Sequence, residues 1–135
     1  MNMFEACIHG DLDRVKELSL EESFNIAVKG NYGRTSLMEA SCYGHLDVVK
    51  YLISRGANIE AKNNYGRTAL MYASSNSHLE VVKYLVERGA DIEAKDNYGN
   101  TALMEASQNS HLEVLNYLVM VTANRKSAMK FKAVR

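Results

Sequence analysis

Apolar residues fall along this chain in pairs of short stretches, each pair separated from the next by polar, glycine-bearing sequence. In the clearest stretch Leu46, Val49, Leu52 and Ile53 keep the i, i+3, i+6, i+7 spacing that gathers side chains on one helix face. It closes at Arg55-Gly56, and Arg88-Gly89 repeats that ending. Glycine supplies the left-handed position after a last turn, and arginine suits the negative end of the helix dipole. A shorter stretch comes before it in each pair. SLMEASCY, ALMYASSN and ALMEASQN each follow a threonine, at Thr35, Thr68 and Thr101, a residue suited to capping a helix start. Leu37 with the small residues Ala40 and Ser41 would let neighbouring helices approach closely. The polar ANIEAKNNYGR then reads as an extended turn. Each unit is predicted to be helix, turn, helix and projecting loop.

The pattern returns every 33 residues. The copy from Asn31, NYGRTSLMEASCYGHLDVVKYLISRGANIEAKN, matches the copy from Asn64, NYGRTALMYASSNSHLEVVKYLVERGADIEAKD, at 23 of 33 positions. A third copy starts at Asn97 as NYGNTALMEASQNSHLEVLNYLV and then departs. Units of this length cannot bury their apolar faces alone and must stack. Upstream, FEACIHGDLDRV from Phe4 to Val15 is a weaker relative of LMEASCYGHLDVV, displaced by one residue from the strict interval.

With G-x-T-x-L-M-x-A-S, then H-L-[DE]-V-V-K-Y-L, then R-G-A-[ND]-I-E-A-K, the chain resembles the ankyrin repeat over roughly Met3 to Val119. The resemblance implies an all-α repeat solenoid of helix-turn-helix units with projecting, β-hairpin-like loops. One domain over 1–135 is expected: an atypical capping unit at 1–30, repeats at 31–63 and 64–96, an incomplete last repeat at 97–120, and a basic tail at 121–135.

Departures from the family pattern carry their own expectations. The family's proline and histidine are replaced, as in Thr68-Ala69-Leu70-Met71, and the chain has no proline. Losing the histidine, which ties neighbouring loops in the family, predicts looser loops. Ser77 and Ser110 replace the glycine kept at Gly44, and each opens a capping-box spacing, Ser77-His78-Leu79-Glu80 and Ser110-His111-Leu112-Glu113. Asn76 and Asn109 are therefore expected to take the left-handed conformation, which asparagine tolerates. In the tail, Thr122 stands where Gly56 and Gly89 end the earlier helices. Arg125, Lys126, Lys130, Lys132 and Arg135 follow with no acid among them. Three readings stand open: a terminal cap whose helix runs on, a fragment of a longer array, and a basic arm for an acidic partner.

Composition narrows the function. The formal net charge is zero, which predicts no general affinity for nucleic acid or anionic membrane. No apolar run approaches the roughly 18 residues of a membrane span, and the start lacks a basic segment followed by an apolar one. Cys7 and Cys42 are too few for a disulfide framework. A cytoplasmic location is expected, with the nucleus as the other option.

Candidate chemistry is thin. His45, His78 and His111 recur one unit apart, a stacking distance of roughly 10 Å, too far for one shared zinc ion. They are expected to order the turn before the second helix, and Cys7 and Cys42 to pack. Glu39 and Glu105 occupy equivalent helix positions two units apart and are expected on a solvated groove wall. No nucleophile–base pair can be nominated, so a non-enzyme with no cofactor, metal or small-molecule substrate is expected.

The family resemblance implies a protein partner of unknown identity, met by the loop tips and the open side of the first helices. Position by position, the tips are Asn31, Tyr32 and Arg34; Asn64, Tyr65 and Arg67; and Asn97, Tyr98 and Asn100. The helix positions are Glu39, Cys42 and Tyr43; Tyr72, Ser75 and Asn76; and Glu105, Gln108 and Asn109. Tyrosine and arginine commonly supply hot spots of about 2 kcal/mol or more. The ladder Tyr32, Tyr65, Tyr98 reads either as such a surface or as duplicated loop packing. Differences between copies at the helix positions read as unit-specific contacts or as drift. Tyr51, Tyr84 and Tyr117 belong to the second helices and are expected to be partly buried. Substituting Tyr65, Tyr72 and Arg67 together is expected to abolish capture with little change in melting. The alternative is structural: a segment of a longer array, or a chain, otherwise monomeric, that stacks through its poorly capped third repeat.

Overall fold

The structure, a computed structural model, describes the backbone of residues 1–134 and the side chains of residues 1–129. Among the described residues there are eight α-helices in four antiparallel pairs: α1 (Met3–His9) with α2 (Leu12–Ser19), α3 (Ser36–Cys42) with α4 (Leu46–Ser54), α5 (Ala69–Ser75) with α6 (Leu79–Glu87), and α7 (Ala102–Gln108) with α8 (Leu112–Val134). First helices stack in the order α1, α3, α5, α7, and second helices follow behind them. The buried side chains form one continuous cluster from Ala6, Cys7 and Val15 through Leu52, Met71 and Leu85 to Val114 and Leu118.

Local chemistry explains the helix ends. Thr35, Thr68 and Thr101 sit in extended backbone, and their hydroxyls accept from the N–H groups of Met38, Met71 and Met104 at 3.2, 3.4 and 3.3 Å. Such caps each stabilise a helix start by about 1 kcal/mol. Gly56 and Gly89 take φ of 93° and 97° after α4 and α6, as the arginine-glycine endings predict.

Two expectations fail at the turn between the helices of a pair. Ser77 and Ser110, not the asparagines before them, are left-handed, with φ of 60° and 57°. Asn76 and Asn109 close their helices at φ of −107° and −96°. The reason is the hydrogen bond that folds the turn: His78 N–H reaches back to Ala73 O at 2.9 Å, and His111 N–H to Ala106 O at 2.9 Å. That geometry puts the left-handed residue where the first copy has Gly44, at φ 78°. The capping boxes are absent for the same reason, since His78, rather than Ser77, is the residue before α6 and no side chain caps it.

The last helix does not stop at Thr122, whose hydroxyl donates to Leu118 O at 2.8 Å inside the helix. Arg125 and Lys126 lie on its exposed turns. The side chains of Lys130 and Lys132, and Arg135 altogether, lie outside the described residues.

Candidate partner-binding surface

Loop tips are built by side chains outside the candidate residues. Asn63 is buried, and its Oδ1 accepts from the N–H groups of Tyr65 and Arg67 at 3.0 and 2.9 Å. Asp96 does the same for Tyr98 and Asn100 at 2.9 Å each. Asn63 N–H then meets Arg67 O, and Asp96 N–H meets Asn100 O, which closes each tip as a tight hairpin-like turn. The first tip has Gly30 instead and folds differently, with Tyr32 itself left-handed at φ 59°. Neighbouring tips are tied as well. Asn64 N–H donates to Tyr32 O, and Asn97 N–H to Tyr65 O, both at 2.9 Å. Lys29 Nζ donates to Lys62 O and Lys62 Nζ to Lys95 O, at 2.9 and 3.1 Å. These bonds tie the loops that the missing family histidine was expected to leave looser.

Behind the tips, five of the candidate residues engage one another. Arg34 pairs with Glu39 of its own unit, and its guanidinium lies 4.2 Å from the ring centre of Tyr72. Arg67 lies 4.8 Å from that ring and reaches forward to Glu105 at 2.8 Å and Asp96 at 3.2 Å. Tyr72 Oη accepts from Asn63 Nδ2 at 2.5 Å. Burial works against the charge on Arg34 and Arg67, and the Glu39 and Glu105 carboxylates outweigh it, holding both guanidinium groups above their ordinary pKa. Asp96 is also opposed by burial, yet the N–H groups of Asn100 and Tyr98 and the Arg67 cation hold its carboxyl below the usual aspartate range. Glu39 and Glu105 are 8% and 7% exposed, so the expected solvated wall is a buried ion-pair floor. The helix positions that differ between copies, Glu39, Tyr72 and Glu105, thus meet in one cluster of two cations, two carboxylates and an aromatic ring.

The remaining candidates face solvent to different degrees. Tyr32, Tyr65, Tyr98 and Tyr43 are exposed, Tyr98 most of all at 80%. The Tyr32 and Tyr65 rings lie 6.0 Å apart at 33°, while Tyr98 makes no such ring contact among the described residues. Asn76, Gln108 and Asn109 are exposed, and Ser75 and Asn100 are half-buried. Asn76 Nδ2 lies 3.3 Å from Cys42 Sγ, and Asn109 Nδ2 lies 3.5 Å from Ser75 Oγ, both in the unit before.

Comparison with protein families matches residues 3–96 and 62–128 to ankyrin repeats, a model of three copies. The chain belongs to the ankyrin repeat family. Ankyrin domains are in general protein-binding modules, and the eight paired helices here are of that all-α kind.

Within this ankyrin array the recurrent histidines join units. His45 Nε2 donates to Ile8 O at 2.7 Å, His78 Nε2 to Cys42 O at 2.9 Å, and His111 Nε2 to Ser75 O at 2.7 Å. Each therefore does more than order its own turn. Cys7 is fully buried, and burial pushes its thiol up to about 12. Tyr51, Tyr84 and Tyr117 are half-buried as expected, with Lys16, Lys50 and Lys83 of the preceding units 5.8, 5.5 and 5.9 Å from their ring centres. None of the helices is long and apolar enough to cross a membrane, among the described residues.

Proposed function

We propose that this ankyrin array binds a folded protein partner through its concave side. Tyr32, Tyr65, Tyr98 and Tyr43 supply contact area there, and Ser75, Asn76, Asn100, Gln108 and Asn109 supply hydrogen-bonding groups. Arg34, Glu39, Arg67, Tyr72 and Glu105 form the floor that fixes their positions. The observation that supports this most is the contrast between the two sets of aromatic residues. Tyr72 is engaged by two guanidinium groups and an amide, whereas the loop tyrosines stand exposed on tips whose backbones are hydrogen-bonded to one another, the middle tip on both sides and the outer tips on one. Tyrosine on a preorganised frame gives large contact area with little entropy lost on binding. The site is one of recognition rather than catalysis, because the buried carboxylates face guanidinium groups. A cytoplasmic setting fits two free cysteines.

The triple substitution Tyr32→Ser, Tyr65→Ser, Tyr98→Ser tests this. Partner capture from extract of the native cell, read by mass spectrometry, is expected to fall to background while the melting temperature stays within a few degrees. Undiminished capture by the folded variant would move the site off the tips. Substituting Tyr65, Tyr72 and Arg67 together is a poorer test than the sequence suggests, because two of the three hold the floor.

A further inference from the structure

The trailing face of the array, on α7 and α8, keeps the chemistry of a stacking interface without a unit against it among the described residues. Met38 and Met71, on α3 and α5, are each 1% exposed, and their counterpart Met104 is 43% exposed. Ser41 and Ser74 are buried, and their counterpart Ser107 is exposed. The loop edge is open in the same direction. Gly33 and Gly66 lie against Asn64 and Asn97 of the following loops, while Gly99 has nothing within 4 Å. Because α8 runs straight where earlier units turn into a Gly-Ala loop, a groove of about 420 Å³ remains beside it, lined chiefly by Ile92, Leu103, Val119 and Ala123.

The leading face is finished differently. Asp11 and Arg14 stand where the next unit has His45 and the buried Val48. A second copy arriving head to tail would set those charges against the methionine and leucine of the trailing face, an unfavourable desolvation. Two trailing faces meeting each other incur no such cost. An axis through the Leu103–Val119 patch would bring their apolar centres together, and beside that patch Asp91 with Glu93 and Arg125 with Lys126 line one groove. A two-fold axis can set the acidic pair of one copy against the basic pair of the other, which is what a self-complementary surface requires.

We propose that the trailing face, centred on Leu103, Met104 and Val119, binds a second copy of this chain about a two-fold axis. It is separate from the loop-tip tyrosines, so the concave side of both copies stays free for a partner, and either proposal can fail without the other. The interface continues the existing stack by one symmetric step and then closes, giving a dimer rather than a filament.

Sedimentation equilibrium on the full chain, from sub-micromolar to sub-millimolar, tests it. The mass is expected to rise to twice that of the chain and stop. The pair Met104→Asp, Val119→Asp alters side chains that are already exposed, so helicity should persist. It should raise the dimer dissociation constant by about tenfold or more, the effect of burying carboxylates at an apolar contact. Hydrogen exchange on the unaltered chain adds a readout that needs no variant: amides of 101–108 and 115–123 are expected to exchange more slowly at high concentration. A monomer throughout, growth beyond the dimer, a dimer untouched by the pair, or exchange independent of concentration would each overturn the proposal.

Discussion

Replacing Arg67 by methionine removes the guanidinium that joins two loops and two repeats while keeping a long apolar stem. Its Nη1 lies 2.8 Å from Glu105 and 3.2 Å from Asp96, and the three side chains are 17%, 10% and 1% exposed. Deleting one member of a buried pair costs about 3–5 kcal/mol, chiefly because the other charge is left unpaired. Asp96 keeps the N–H groups of Tyr98 and Asn100, so the loss falls mainly on Glu105 and the lower end, about 3 kcal/mol, is expected. The lost contact with the Tyr72 ring adds about 0.5–1 kcal/mol. Urea denaturation followed by helicity at neutral pH measures the change. The double substitution Arg67→Met, Glu105→Met should recover most of it, because a buried ion pair exchanged for apolar residues of similar size is often neutral. A single-variant cost below about 1 kcal/mol would mean that water screens the pair like a surface bridge. No recovery in the double variant would equally refute the account.

Further outcomes follow from the turns and the titrating groups. Ser77→Gly should raise stability by about 0.5–1 kcal/mol, since relief of a left-handed serine outweighs the greater freedom of unfolded glycine; a lower melting temperature would contradict this. The reverse change, Gly44→Ser, should destabilise, because a Cβ there would meet the His78 ring at 2.4 Å. With its folded pKa depressed, Asp96 contributes stability that is complete above the unfolded value near 3.9 and is lost as pH falls through the folded one. Asp96→Asn copies Asn63, so urea midpoints measured on acidification should fall less steeply below about pH 4 in that variant than in the parent. Cys7, fully buried with its thiol pushed up to about 12, should resist alkylation at neutral pH until denaturant is added, as peptide mapping of the labelled chain would show.

The fold was legible because the 33-residue interval, the threonine starts and the arginine-glycine ends are local signals, each tied to a backbone need a few residues away. The turn before each second helix was misread where the decision depended on one longer bond. Asparagine is the better left-handed residue in isolation, but the reach of His78 N–H to Ala73 O fixes the conformation one position later, and serine is strained into it. Equivalent positions in the tips and first helices follow from the 33-residue interval, whereas the partition of their side chains was hidden. Arg67 finds Glu105 across 38 residues, and nothing within a single copy announces that contact. Asn63 and Asp96 were overlooked although a visible signal existed: an asparagine or aspartate two residues before Tyr65 and Tyr98 is placed to accept from their N–H groups.

The histidine clasps run one way along the array: every ring donates backwards, from one unit to the carbonyl of the unit before it. Tension applied at the far end of α8 would therefore load His111 first and leave His78 and His45 shielded until that clasp yields. The molecule should part like a zip, from its basic end, in steps of one hairpin at a time.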